Sequence, residues 1–139
     1  MKKEKERFKD NGDGTITDNR TGLMWVKNGI SEGCNNGCVL TWEDAVSFCE
    51  NLSYAGYTDW RLPNIQELQS IVNYGVCYPA INSTYFPNTQ SDYYWSSTTS
   101  VNYPDSAWSV YFYSGGVANY NKTDGFDVRP VRGKFVFDI

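Results

Sequence analysis

The chain has 139 residues, 40% hydrophobic and 17% aromatic, which suffices for one folded domain with its own core and is too apolar for a disordered tail. Its formal net charge is −4, but residues 1–9 hold five of the twelve bases (Lys2, Lys3, Lys5, Arg7, Lys9), so the remaining body sets seven bases against fourteen acids. Such a body repels phosphate backbones and anionic headgroups, which argues against nucleic acid and membrane partners, and no apolar run approaches the roughly 20 residues of a membrane helix.

Residues 1–9 read as a solvated basic leader or an expression remnant, and 10–139 as a single domain. The opening lacks the apolar centre of a secretion signal, so a protein displayed outside the cell has lost its signal or leaves by another route, for instance on a virus particle. The run Asp10-Asn11-Gly12-Asp13-Gly14 resembles a calcium loop, but the register fails, because glycines stand where oxygen ligands are needed. Asn-Gly and Asp-Gly pairs before Thr15-Ile16-Thr17 instead predict a tight turn, and Asn19–Gly22 predicts another before a Leu23–Val26 strand. A glycine- and asparagine-rich loop follows over 27–38.

Four cysteines, Cys34, Cys38, Cys49 and Cys77, allow three pairings and lack the paired spacing of a zinc site. Cys34–Cys38 with Cys49–Cys77 suits an oxidising compartment; the alternative is buried free thiols. Thr41 with Asp44 predicts a helix cap, and Trp42, Ala45, Val46, Cys49 and Leu52 recur at helical spacing until Gly56. Asn64 with Glu67 predicts a second helix that buries Leu68, Ile71 and Val72. An irregular stretch over 74–92, punctuated by Pro79 and Pro87, precedes four expected strands at 93–97, 107–114, 117–121 and 126–132, with Gly115-Gly116 as a two-residue hairpin turn. On the 107–114 strand, alternation places Trp108, Val110 and Phe112 on a core face and Ser109, Tyr111 and Tyr113 on a half-polar face. The fold class is α+β, with two helices and an antiparallel sheet.

The chain contains no histidine, which removes the usual general base, the usual metal ligand and any histidine-activated nucleophile. Paired carboxylates could still cleave a glycosidic bond, but Asp92, Asp105, Asp124 and Asp127 all sit in turn-like contexts that explain aspartate without catalysis. No phosphate-cradling glycine spacing is present, and no cofactor or metal is expected. What stands out is the concentration of six of the eleven tyrosines between 93 and 120, among asparagines, serines and glycines. Those residue types serve recognition surfaces, since tyrosine gives contact area at small entropic cost and short polar side chains adapt their hydrogen bonds.

Five stretches, Asp10–Trp25, Thr41–Cys49, Asp59–Leu68 with its Asp-Trp-Arg-Leu-Pro, Tyr94–Thr99, and Val128–Gly133, resemble in order the C-terminal domain of bacterial collagen-like adhesins. The resemblance implies a C-type-lectin-like fold, shared distantly with formylglycine-generating enzymes and with the variable proteins of diversity-generating retroelements. The late cysteine pair of the former has no counterpart after Cys77, so that activity is not implied. The latter carry rewritten asparagine codons at surface positions of their last strands. The corresponding ligand-binding residues here are Ser100, Asn102, Tyr103 and Asp105 in one loop, Ser109, Tyr111, Tyr113, Asn119, Tyr120 and Asn121 on the hairpin, and Asp124 and Asp127 beyond it. The expected function is non-enzymatic recognition of a protein or glycan on a cell surface, by a domain that is extracellular, on a cell surface or on a virion. The alternatives are a carboxylate-dependent glycan-processing enzyme and a structural cap, trimeric if it closes a collagen-like stalk.

Overall fold

The Asn-Gly and Asp-Gly pairs turn the chain where the sequence places them, with the Asn11 amide donating to Thr15 Oγ1 (3.0 Å) and Thr17 Oγ1 (2.8 Å) across the turn. The computed structural model of the protein describes residues 6–28 and 39–136. Strands β1 (Phe8–Asp10), β2 (Thr15–Asp18) and β3 (Met24–Val26) form an antiparallel meander. Phe8 and Lys9, grouped above with the leader, belong to this sheet. Phe8 is buried edge-on against Phe86, and Arg7 grips the fully buried Asp18 through two hydrogen bonds while also reaching Ser70 O. A lone phenylalanine inside a charged run carries no periodic signal, so the strand was not legible.

Helix α1 (Trp42–Glu50) starts at Thr41, whose Oγ1 accepts from the Asp44 N–H, and ends at Asn51, short of Gly56. Helix α2 (Ile65–Ser70) carries the reciprocal cap: Asn64 Oδ1 accepts from Glu67 N at 2.8 Å, and Glu67 Oε1 accepts from Asn64 N at 2.9 Å. The long 74–92 segment is held by buried Ala80, Ile81 and Phe86, and by Ala80 N donating to Phe112 O at 2.7 Å.

The C-terminal half forms β4 (Tyr93–Thr99), β5 (Ser106–Tyr111), β6 (Gly116–Asn121) and β7 (Val131–Arg132). These do not complete one sheet. The protein has two antiparallel sheets, β1-β2-β3-β7 and β4-β5-β6. The expected 126–132 strand is divided between them: Phe126 and Asp127 bridge to Leu40 and Tyr94, while Val131 and Arg132 pair with β3. The strand 107–114 also ends early. Its chain turns at Phe112–Gly115, where Ser114 N and Gly115 N both donate to Tyr111 O, and Gly115 takes a φ of 92°. Tyr113 therefore sits in the turn rather than on the strand.

One core cluster joins Ile16, Trp25, Leu68, Phe86, Tyr94, Val110 and Phe112, and a second beneath α1 joins Ala45, Cys49, Leu62, Trp95, Ala107 and Val128. Both faces of β4 and β5 are thus covered, which corrects the expectation of a wet face: Ser109 is buried, whereas Trp108, assigned to the core, is only half-buried. Alternation says which residues share a face, not whether another segment covers it. The Cys49–Cys77 pairing is also corrected. Both thiols are free, Cys49 buried in the α1 cluster and Cys77 exposed in the long loop. Cys34 and Cys38 lie outside the described residues.

Candidate ligand-binding surface

Antiparallel register sets Tyr93 of β4 opposite Tyr111 of β5, and their rings stack with centroids 4.3 Å apart and planes 14° from parallel. Tyr113 continues the stack over Tyr111 at 5.4 Å and 11°. Tyr78, from the long loop, closes on Tyr113 edge-on at 4.2 Å, a contact held by Tyr78 N donating to Tyr113 O at 3.0 Å. On the other side Tyr93 meets Tyr120 and Phe126, and Tyr120 donates its hydroxyl to Tyr93 Oη at 2.9 Å. Phe126 then packs on the fully buried Trp95.

The result is a graded row. Trp95 anchors it in the core, Tyr93, Tyr120 and Tyr111 are half-buried, and Tyr113 and Tyr78 are 38% and 61% exposed. A groove of about 350 Å³ opens beside Tyr78, lined among others by Asn73, Val76, Cys77, Ile81 and Thr84.

The stacking decides what this row offers. Tyr93, Tyr111 and Tyr113 turn faces to one another, so along the stack the solvent meets ring edges and phenol hydroxyls, while Tyr78 meets Tyr113 edge-on and stays exposed. Tyr93 and Tyr113 are each pushed up to about 12, first by interaction with a neighbouring phenol (Tyr120 and Tyr78 respectively) and then by burial. Each phenol hydroxyl can donate as well as accept.

The twelve sequence-selected residues do not form one surface. Ser100, Ser109 and Asp127 are buried. Ser109 Oγ donates to Ala118 O at 2.9 Å, and Ser100 Oγ accepts from Tyr103 N while its own N–H donates to Ser106 O, so both serine hydroxyls are engaged with backbone. Asp127 pairs its backbone with Tyr93 and Trp95. Burial, then the charge of Asp92, pushes its carboxyl up to about 6, against the opposing pull of Arg129.

The others divide between the two ends of the β5–β6 hairpin. Asn102, Tyr103, Asp105, Asn121 and Asp124 gather, exposed, where Ser106 pairs with Asn121. Half-buried Asn119 and Tyr120 lie on β6 between the ends. Tyr111 and Tyr113 belong to the opposite end, five residues or about 17 Å along the strand. Tyr78, Tyr93 and Phe126 were absent from the sequence set. For Tyr93, the period-2 relation to Trp95 was an available signal; for Tyr78, in an irregular loop, none was.

The model of the Lcl C-terminal domain family matches residues 14–132. The chain belongs to that family. No curated protein matches it. The Lcl C-terminal domain is adhesin-like, and the motifs that mark this member are scaffold. In the Asp-Trp-Arg-Leu-Pro segment, Asp59 pairs with Arg132, Trp60 and Leu62 are buried, and Arg61 exchanges two backbone hydrogen bonds with Val131. Trp95 donates its indole N–H to Leu40 O at 2.8 Å, and Ser96 Oγ donates to Trp108 O at 2.6 Å. In the Val128–Gly133 segment, buried Arg129 donates to Val26 O, Lys27 O and Thr89 Oγ1. The tyrosine row lies outside these motifs, apart from Trp95 at its buried root. No helix among the described residues is long and apolar enough to cross a membrane.

Proposed function

We propose that this Lcl C-terminal domain is a non-enzymatic recognition module, displayed outside the cell on a cell surface or virion, whose ligand docks on the open end of the tyrosine row. The observation that carries this reading is the stack Tyr93–Tyr111–Tyr113, capped by Tyr78 and bordered by a groove. A surface of ring edges and hydroxyls suits a ligand rich in hydrogen-bond acceptors, such as a surface glycan or the loops of a protein. The second group, Asn102, Tyr103, Asp105, Asn121 and Asp124, meets the same ligand only if it spans the hairpin.

A C-type-lectin-like ancestry is part of this reading. Kinship with diversified retroelement proteins is less well supported, because Ser100, Ser109 and Asp127 are buried positions at which variation would disturb the fold. One observation favours an enzymatic alternative: burial and then the charge of Asp92 raise Asp127 to about 6, the kind of shift that acid–base chemistry uses. The test displays the protein against an array of surface glycans and proteins, alongside a Tyr111→Ala/Tyr113→Ala variant. Binding by the wild type that the variant loses while still folded supports the module; release of cleaved glycan would instead support the enzyme.

A further inference from the structure

The two sheets have four outer edges, and three are closed or defended. β1 is three residues long and carries Lys9 and Asp10, the latter paired with Lys27 at 2.6 Å. β7 has its outer side taken by Arg61, which exchanges backbone hydrogen bonds with Val131 at 2.8 and 2.9 Å. β4 is met by Asp127, through Asp127 N to Tyr93 O and Trp95 N to Asp127 O. No described residue pairs with the outer side of β6.

The phase of that edge follows from the ladder. Lys122 N donates to Asp105 O, so residues 116, 118 and 120 aim their backbone groups at β5. Val117, Asn119 and Asn121 aim theirs outward, and among the described residues only Asn121 O of these has a backbone partner, the Asp124 N–H. Natural sheet edges are guarded by lysine, proline, bulges or brevity. β6 has none of these: Gly-Val-Ala-Asn-Tyr-Asn is uncharged and stays in unbroken register with β5 over all six residues.

We propose that β6 is a strand-addition site, at which an extended, positively charged segment of a partner chain joins as a fourth strand of the β4-β5-β6 sheet. The charge of the partner follows from what flanks the edge. Exposed Asp105 and Asp124 lie at its Asn121 end, and Trp42 N donates to Lys122 O at 3.0 Å, which brings Glu43 and Asp44 of α1 to the same place. The base present there, Lys122, is occupied by the Trp42 ring at 4.1 Å and Pro104 O at 3.0 Å. Outside residues 1–9 the chain sets seven bases against fourteen acids, so the folded body of a second copy has little to offer this end. Backbone pairing supplies the attachment, and lysine or arginine beside Asn121 sets its direction. The inference does not depend on the tyrosine row.

The test is a titration of the isotope-labelled full chain, followed by backbone NMR, with three probes: an octapeptide alternating valine and lysine, its valine–glutamate counterpart, and the lysine peptide N-methylated at every residue, which leaves neither strand edge able to donate. The lysine peptide is expected to shift and protect the Val117 and Asn119 amides, and to bind at least about tenfold more tightly than either control. Asn119→Pro removes only an outward N–H, so it should fold and lose that binding; Asn119→Lys should do the same by repulsion. The proposal is overturned by unshifted β6 amides, by equal binding of the N-methylated or glutamate peptide, or by undiminished binding to both variants. It is likewise overturned if the protein alone dimerises through β6 and Asn119→Pro abolishes the dimer.

Discussion

The ring of Tyr111 lies nearly parallel to that of Tyr93, with centroids 4.3 Å apart, so one side chain joins the packing beneath α1 to the exposed Tyr113. The two tyrosines at the open end are therefore unequal. Tyr111→Ala leaves a half-buried gap against Tyr93 and should cost about 1–3 kcal/mol in urea unfolding, whereas Tyr113→Ala should cost less than about 1 kcal/mol. Equal losses from both would place Tyr113 in the packed interior.

Glu67 is almost fully buried, and it both caps α2 and accepts two hydrogen bonds from Arg61, each 2.7 Å long. Arg61→Ala would strand that carboxylate, and Glu67→Ala would unpair the guanidinium and open the cap. Each should destabilise by about 2–4 kcal/mol, with Arg61→Lys recovering only part because it cannot reproduce the two-point contact. Full rescue by lysine would mean that charge alone matters.

Asp127 should make stability depend on pH. Its folded pKa, about 6, lies above the ordinary 3.8, so its contribution is fully present below the lower value and is lost as pH rises through the upper one. Asp127→Asn should match the wild type at pH 4 and exceed it by about 1–3 kcal/mol at pH 7. A variant less stable by the same margin at both pH values contradicts the assignment.

The thiols should separate on contact with an alkylating reagent. Burial pushes Cys49 up to about 12, while Cys77 is exposed. Peptide mass mapping of the native protein should find Cys77 modified rapidly and Cys49 only after unfolding. Recovery of a Cys49–Cys77 linked peptide from unreduced protein would contradict the free thiols seen here.

Local chemistry made much of the fold legible. The Asn11–Gly14 turn, the Thr41 and Asn64 caps and the buried faces of both helices were readable because each depends on residues a few positions apart. The division into two sheets was not, since it turns on Phe126–Asp127 and Val131–Arg132 choosing partners far away in sequence. The site was half legible for the same reason. A tyrosine-rich hairpin was visible, but the packing of Leu40, Phe126 and Val128 with α1 against Trp95 and Ala107, and the arrival of Tyr78 beside Tyr113, are long-range events.

The central claim is that the exposed phenols bind ligand through their hydroxyls. It is tested most directly by Tyr78→Phe/Tyr113→Phe, which keeps both rings and deletes two oxygen atoms. Binding to whichever cell-surface glycan or protein the wild type retains should fall at least about tenfold, with thermal unfolding unchanged. Undiminished binding by a fully folded variant would contradict the account.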